Sequence, residues 1–245
     1  MGYCRQTSLP VQEPVTLAMA KQFLRLPPGF TADDTIISGF IQAAREQGEI
    51  LCDRALAQRT FTAVLDSHPY YTDTVQSQLA YPPNYYSLPR YSTTLWNYSQ
   101  MIKLGRSPVI SITEIRSVAT DGTITRFHQD VDFILDRINE PCRIFPIPGQ
   151  YWPADQYVAN AVEIDFVAGY DPDPTVVDVH TVVASPPNQQ PDSTIVSGIP
   201  QMAILGILNL VAYWFNNRGN AGVVPPGIAQ IFLNMAVYDF SPTRG

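Results

Sequence analysis

The stretch that decides the fold is IPQMAILGILNLVAYWFNNRG, residues 199–219. Pro200 suits the first turn of a helix, and Gly219 is a typical stop after the last turn. The apolar residues between them fall on almost every side of the predicted helix: Met202, Ile204, Leu205, Ile207, Leu208, Leu210, Val211, Tyr213, Trp214 and Phe215. A helix that is apolar all round is normally buried. We therefore predict that this segment is the central buried helix of a helical body.

The N-terminal part of the chain provides helices that can pack against it. VTLAMAKQFLRL, residues 15–26, predicts a helix that Thr16 caps with its hydroxyl and that ends before Pro27. A second helix is predicted from Thr31, because Asp34 follows three residues later in a variant of the capping box. Its apolar residues recur at helical spacing: Ile36, Ile37, Phe40, Ile41, Ala44 and Leu51. A last short helix is predicted over residues 226–236.

Between these helices the pattern changes to that of short strands. TFTAVL at 60–65, VISITEIRSV at 109–118 and AVEIDFV at 161–167 are rich in β-branched and aromatic residues. Asp121 and Gly122 form a hairpin turn signal. Four shorter strands are predicted at 101–104, 123–127, 133–135 and 143–145. The fold class is therefore α+β, with a small antiparallel β sandwich or barrel at 59–197 inserted into a helical body formed by 1–58 and 198–245.

One part of the inserted domain is unusually aromatic. The segment Ser67–Ser99 is rich in tyrosine, proline and asparagine and has little regular pattern. Such a segment can stack on sugars or bases, or it can form a contact arm, since tyrosine is enriched at protein interfaces. We favour an arm that contacts a neighbouring subunit through Tyr81, Tyr85, Tyr86, Tyr91 and Trp96.

The charge content limits the classes of partner. Only 15% of the residues are charged, which leaves neutral surface for contact between subunits. The net charge is −7 and no basic stripe is visible, so tight binding of nucleic acid is not expected. An acidic surface repels phosphate and remains compatible with the wall of a channel through which DNA slides. The apolar stretch at 199–215 is too short and too interrupted to predict a membrane span.

The sequence predicts no catalytic residues, no metal site and no cofactor. Asp66, Ser67 and His68 are adjacent, so their side chains point in different directions and do not form a triad by themselves. Asp130 and Asp132 are typical of a loop before a strand. Three widely spaced cysteines predict neither a disulfide framework nor a zinc site: Cys4, Cys52 and Cys142.

Two further features have an ordinary interpretation as well as a functional one. Four residues of one loop could chelate a metal or form an unrecognised enzyme site, although the glycine and terminal glutamate of an EF-hand are missing: Asp171, Asp173, Asp178 and His180. Asp-Pro turns in a polar loop explain the same residues. Trp152, in GQYWP at 149–153, is expected to be a packing anchor and not a binding platform.

Taken together and in order, several segments resemble the head–tail connector (portal adaptor, head-completion) family of tailed bacteriophages. The resemblance is to its longer form with a β insert, which is similar to the adaptors of gene transfer agents. Besides the stretch at 199–219 and the helix at 15–26, the matching segments are IQAAREQGEILCDRAL, QRTFTAVLD, SPVISITEI, PIPGQYWP and NAVEIDFVAGY. The tyrosine-rich segment and the loop at 171–197 are longer than this resemblance leads us to expect.

The resemblance implies a structural protein of the virion neck, made in the host cytoplasm. Its expected partners are the portal protein, neighbouring copies in a twelvefold ring, and a downstream tail or nozzle protein. Packaged DNA would only pass through the ring. The resemblance also implies that the C-terminal segment from Asn220 to Gly245 docks into the portal, with apolar anchors at Pro225, Ile228, Ile231, Phe232, Tyr238 and Phe240.

Two alternatives remain open at this point. The tyrosine-rich segment allows a virion or tail module that contacts a host glycan. The loop from Asp171 to His180 allows an enzyme. We also expect the free chain to be a monomer that forms a ring only on the portal.

Overall fold

The computed structural model describes residues 3–27, 29–69, 100–153, 159–171, 198–220 and 222–237. Within these ranges the chain contains four α-helices and eight strands, which confirms the α+β class. The chain divides into two units. The β unit lies within 1–7, 60–105 and 109–167, and the helical unit lies within 8–59, 106–108 and 168–245.

The helical unit contains helices from both ends of the sequence. They are α1 (Leu17–Phe23), α2 (Asp34–Cys52), α3 (Gln201–Asn216) and α4 (Pro226–Leu233), with a 3₁₀ turn at Arg218–Asn220. The hydroxyl of Thr16 accepts a hydrogen bond from the backbone N–H of Met19 at 3.2 Å, which is the predicted cap. The second helix begins at Asp34 and not at Thr31, because residues 31–34 first close a separate turn.

The core of the helical unit lies mainly between α2 and α3. Ile37, Ile41 and Ala44 of α2 are buried together with Ile207 and Leu210 of α3. Each large aliphatic side chain removed from water in this way contributes roughly 1.5–3 kcal/mol. Trp214 is also buried, as its place in the central stretch predicts, and its ring lies 6.0 Å from that of Phe40.

The prediction that α3 is the central buried helix is confirmed for one side of the helix, and two apolar residues of the opposite side are exposed in the described part of the chain. Its buried residues lie along one side of the helix: Ala203, Gly206, Ile207, Leu210, Val211 and Trp214. Met202 and Leu205 retain 46% and 42% of their accessible surface. No helix among the described residues is long and apolar enough to cross a bilayer.

The β unit contains all eight strands. They are β1 (Tyr3–Gln6), β2 (Arg59–Leu65), β3 (Ile102–Lys103), β4 (Val109–Val118), β5 (Ile124–Phe127), β6 (Phe133–Asp136), β7 (Arg143–Pro146) and β8 (Val162–Ala168). One sheet has the order β1-β2-β8-β4-β5 and the other has the order β3-β7-β6. Both sheets are open at their edges, so the barrel alternative is wrong.

Most strands of this unit can be predicted from the sequence, because apolar and polar residues alternate along them. In β8, Val162, Ile164 and Phe166 are buried, and the residues between them are half-buried. The ring of Phe166 stacks on that of Phe61 in β2, with 5.6 Å between ring centroids. Strand β1 is not predicted, because its sequence YCRQ has no alternating apolar pattern; it forms through antiparallel pairing with β2.

Candidate assembly site

The C-terminal part of the described chain is fixed on the helical unit by hydrogen bonds at both ends. The indole N–H of Trp214 donates to the carbonyl oxygen of Val223 at 2.8 Å. Further along, Arg54 donates through Nε to the carbonyl oxygen of Met235 at 2.6 Å. The backbone N–H of Val237 donates to the carbonyl oxygen of Cys52 at 3.1 Å. These bonds hold α4 and its flanking residues against α2 and α3.

Phe232 of α4 occupies a space that two glycines leave open. A Cβ atom added to Gly48 of α2 would lie 2.5 Å from Cε1 of Phe232. A Cβ atom added to Gly206 of α3 would lie 2.7 Å from Cζ of the same ring. Both distances are far shorter than van der Waals contact. The ring therefore reaches the backbones of both long helices, and any side chain at either glycine would displace it. We call this arrangement the Phe232 notch.

The six residues expected to dock into the portal do not share one environment. Phe232 is fully buried in the helical unit, so in this conformation its ring is not available to a partner. Pro225, Ile228 and Ile231 are half-buried and retain surface. Tyr238 and Phe240 lie outside the described residues, as do the residues of the tyrosine-rich arm: Tyr81, Tyr85, Tyr86, Tyr91 and Trp96.

The helical unit also contains a buried network of charges that sequence reasoning missed. The carboxylate of Glu49 accepts hydrogen bonds from Arg45 at 3.0 Å and from Arg59 at 2.6 and 2.8 Å. It also accepts the backbone N–H of Leu56 at 2.8 Å. Arg45 donates in addition to Glu13 at 2.8 Å. Burial alone lowers the pKa of the Arg45 guanidinium, but Glu49 and Glu13 raise it above its usual value.

His68 is buried in the β unit among aromatic rings. Its ring stacks on that of Trp152, with 5.0 Å between centroids and 8° between the ring planes. The ring of Phe127 packs edge-on against that of His68, with 5.5 Å between centroids. Neither ring nitrogen has a hydrogen-bond partner among the described residues. Burial lowers the pKa of His68 to about 4, so the ring is neutral at neutral pH. Trp152 is a packing anchor, and its N–H donates to the carbonyl oxygen of Gln100 at 2.7 Å.

The acidic candidates have structural partners. Asp66 accepts the backbone N–H of Asn160 at 3.2 Å, and it is not hydrogen-bonded to the unpartnered His68 ring. Asp132 accepts the backbone N–H of His128 at 2.8 Å, and the N–H of Asp130 donates to the carbonyl oxygen of Phe133. These bonds close the turn before β6. They give no acid–base pair.

The described residues contain no cluster of histidine, cysteine, aspartate or glutamate that could hold a metal ion. Asp173, Asp178 and His180 lie outside them. Cys52 and Cys142 are buried, and burial raises their pKa values to about 11 and about 12, so neither thiol is poised for nucleophilic chemistry.

One open face of the five-stranded sheet carries paired charges. Arg116 of β4 hydrogen-bonds to Glu163 and Asp165 of β8 and to Glu114 of its own strand. Arg126 of β5 donates to Glu114 at 2.5 Å. The hydrogen bond from Arg126 lowers the pKa of the Glu114 carboxyl below its usual value. The acidic residues of this face are therefore largely matched by arginines and form no bare anionic cluster.

The fold itself has known relatives. A chain in the neck of an empty gene transfer agent (GTA) particle, computed with C6 symmetry, superposes with a TM-score of 0.65 at 18% identity, over 99% of this chain and 100% of that chain. The chain has the fold of a GTA particle protein. A chain from the virion of a native GTA particle gives a TM-score of 0.64 at 18% identity, over 99% of each chain. A chain in the neck of a native GTA particle, computed with C12 symmetry, gives 0.63 at 16% identity, over 99% of this chain and 100% of that chain.

At these identities the likeness shows a shared fold and nothing more. No family model matches the sequence, and no curated protein matches it. The likeness nevertheless extends from end to end in both chains, so it includes both units and not a single common motif.

Proposed function

We propose that this chain is a structural component of the neck of a phage-like particle. In this function it forms a ring beneath the portal, extends the DNA channel and provides the surface on which the tail docks. The observation that carries the proposal is the end-to-end likeness to chains of the GTA neck. The function is mechanical and needs no catalytic step or cofactor.

A ring is supported by the symmetry of the relatives. The two neck structures that contain chains of this fold were computed with C6 and C12 symmetry. In a closed ring each copy contacts two neighbours through two different surfaces. A chain with only 15% charged residues offers ample neutral surface for such contacts.

The charge of the chain suits passage of DNA. Its net charge is −7, and the two arginines on the paired face of the five-stranded sheet, Arg116 and Arg126, are already hydrogen-bonded to carboxylates. A channel wall that attracted phosphate would slow the movement of DNA through the ring. We therefore propose transient, non-specific passage of packaged DNA.

The portal contact is assigned to the C-terminal segment. Pro225, Ile228 and Ile231 keep accessible surface, and Tyr238 and Phe240 follow the last described residue. Phe232 contributes indirectly, because its ring in the notch holds α4 in place. The tyrosine-rich segment at 67–99 is proposed as the arm that contacts a neighbouring copy or the downstream tail or nozzle protein.

Native mass spectrometry of the chain mixed with portal rings from the same particle tests the function directly. We expect a mass increase that corresponds to about twelve copies per portal ring. No association between intact portal and folded chain would contradict the proposal and would favour the glycan-binding alternative.

The docking segment needs a narrower test than removal of residues 220–245, because that deletion would also remove Phe232 and open the core. A truncation after Val237 leaves the notch intact. We expect this truncation to weaken portal binding while the thermal midpoint stays unchanged. Ile231→Asp should have the same effect, and Gln230→Asp, one position away on an exposed part of α4, is the matched control. Normal portal binding by the truncated chain would contradict the docking assignment.

A further inference from the structure

Arg54 lies two residues beyond the end of α2 and joins parts of the helical unit that are far apart in sequence. Its Nε donates to the carbonyl oxygen of Met235 at 2.6 Å, and its Nη1 donates to the hydroxyl oxygen of Tyr170 at 3.1 Å. Met235 follows α4, and Tyr170 precedes the bridge by which Asp171 pairs with Gly198 ahead of α3. One side chain therefore connects the end of α2 with the chain that leaves α4 and with the chain beside the start of α3.

The chain that leaves α4 is held at a second point close by. Two residues after Met235, the backbone N–H of Val237 donates to the carbonyl oxygen of Cys52, the last residue of α2, at 3.1 Å. Between Cys52 and Arg54 lies Asp53, whose backbone is in the left-handed region, with φ 51° and ψ 33°, and turns the chain at the end of α2. The residues that follow Val237 therefore begin from a fixed place on the helical unit.

An arginine is suited to this position because its guanidinium group offers several N–H groups in one plane. It can donate to a carbonyl oxygen and a hydroxyl oxygen at once, whereas the ammonium group of lysine is a point charge without this geometry. The C-terminal end of a helix also carries a partial negative charge that a cation stabilises. Because Phe232 in the notch already fixes α4 itself, the bonds of Arg54 act mainly on the residues that follow the helix.

We propose that Arg54 is a positioning residue for the portal contact, because it holds the start of the C-terminal docking segment in place. The inference rests on the proposed function and assigns part of its portal contact to a residue outside the segment that docks. A segment whose start is fixed before binding loses less conformational entropy when it binds, and so it binds more tightly. Arg54 itself needs no contact with the portal, since it acts through Met235 and the residues that follow.

A double-mutant cycle tests the proposal. It combines Arg54→Met, which keeps an unbranched side chain and removes both hydrogen bonds, with the truncation after Val237. In the full-length chain we expect Arg54→Met to raise the Kd for portal rings about tenfold. In the truncated chain the same substitution should change the Kd less than about twofold, since the segment that Arg54 positions is absent. Equal effects in the two chains, including no effect in either, would overturn the proposal, because a residue that only stabilises the fold acts in both.

Arg106→Met is the matched control. Arg106 donates to Asp53 at 2.6 Å, so its substitution removes a charged hydrogen bond at the same end of α2. Arg106 has no hydrogen bond to residues 234–237, and we expect Arg106→Met to bind portal rings as tightly as the wild-type chain. A Kd raised equally by both substitutions would contradict the role of Arg54. If Arg54→Met fails to fold, Arg54→Lys takes its place, with a loss in the same direction.

Failure of the wild-type chain to bind portal rings would instead contradict the proposed function, and a measurement without portal then decides the role of Arg54. Hydrogen exchange of the Val237 N–H, followed by NMR, reports whether the chain after α4 is held against Cys52. We expect this exchange to be about tenfold faster in Arg54→Met than in the wild-type chain, and unchanged in Arg106→Met. Wild-type exchange in Arg54→Met would overturn the inference whether or not the portal binds.

Discussion

The helical unit and the β unit both bury titratable side chains, but they stabilise them in opposite ways. In the helical unit, Arg45 and Arg59 form ion pairs with Glu49, so each of the three side chains has an oppositely charged partner within hydrogen-bond distance. In the β unit, His68 is enclosed by aromatic rings without a hydrogen-bond partner among the described residues and remains neutral. A buried charge is tolerated only when it is paired, and a buried group without a partner gives up its charge instead.

This difference predicts that the two units respond to different perturbations. The helical unit is sensitive to the loss of one charged partner, because the carboxylate of Glu49 is shared by two buried arginines. The β unit is sensitive to mild acid through a single imidazole. The substitutions below test this contrast, in order of decreasing expected effect.

The largest effect is expected for Glu49→Gln. Loss of the carboxylate charge leaves Arg45 and Arg59 buried without their shared counter-ion, which typically costs about 3–5 kcal/mol of the free energy of unfolding. Urea denaturation at neutral pH measures the loss. Glu46→Gln is the control, because Glu46 also contacts Arg45 but is 53% exposed. Equal midpoints for the two variants would show that the network contributes no more than a surface ion pair.

Acid should destabilise the β unit through His68. Its folded pKa of about 4 lies below the unfolded value of 6.5, so the unfolded chain takes up the proton first. The contribution of the neutral His68 ring to the free energy of unfolding is complete above pH 6.5 and is lost as the pH falls towards 4. A shift of this size corresponds to about 3 kcal/mol at 1.36 kcal/mol per pKa unit.

His68→Phe should flatten the pH dependence of the thermal midpoint across this window, since phenylalanine keeps the aromatic packing and cannot be protonated. His128→Phe is the control, because His128 is exposed. Its pH profile should match that of the wild-type chain. An unchanged profile for His68→Phe would mean that other groups cause the acid sensitivity.

Substitutions at the Phe232 notch test whether the helical unit is also sensitive to a change in packing that alters no charge. Gly48→Ala places a methyl group 2.5 Å from Cε1 of Phe232, and overpacking of this kind costs typically about 1–3 kcal/mol. Gly39→Ala lies in the same helix with no atom within 4 Å of the new methyl, so it should stabilise the chain by up to about 1 kcal/mol. Thermal denaturation compares the two. A stable Gly48→Ala variant would mean that α4 moves away without cost.

The smallest effect is expected for Arg126→Ala on the exposed face of the five-stranded sheet. Its ion pair with Glu114 is open to solvent, and such pairs contribute little to stability. We expect a thermal midpoint indistinguishable from that of the wild-type chain. A loss as large as that of Glu49→Gln would remove the distinction between buried and exposed pairs that the comparison depends on.

Most of the fold could be predicted from the sequence, because its helices and strands have strong local patterns. The limits of β4 and the start of α4 are those that the alternation and Pro226 indicate. Strand β1 could not be predicted, since its pairing with β2 is a contact across more than fifty residues. The exposure of Met202 and Leu205 on α3 was missed because an apolar pattern on all sides of a helix does not show which of its residues the described part of the chain covers.

Less of the candidate site than of the fold could be predicted from the sequence. The residues of the C-terminal segment were chosen by resemblance, and the sequence gives no sign that Phe232 differs from Ile228 or Ile231. The sequence does contain one indication of this packing, since Gly48 and Gly206 lie inside otherwise regular helices. Glycine is unfavourable there unless a neighbour packs closely against the backbone. The partners of Glu49 and His68 come from distant parts of the sequence and have no local pattern.

The Phe232 notch also determines how a mechanical load would pass through the chain. Tension applied beyond Val237 would reach the last residue of α2 through the hydrogen bond from Val237 to Cys52, and it would reach α3 through the Phe232 ring beside Gly206. Both long helices would therefore carry the load together. Separating α4 would require shearing an aromatic ring out from between two backbones before the terminal turn could unwind.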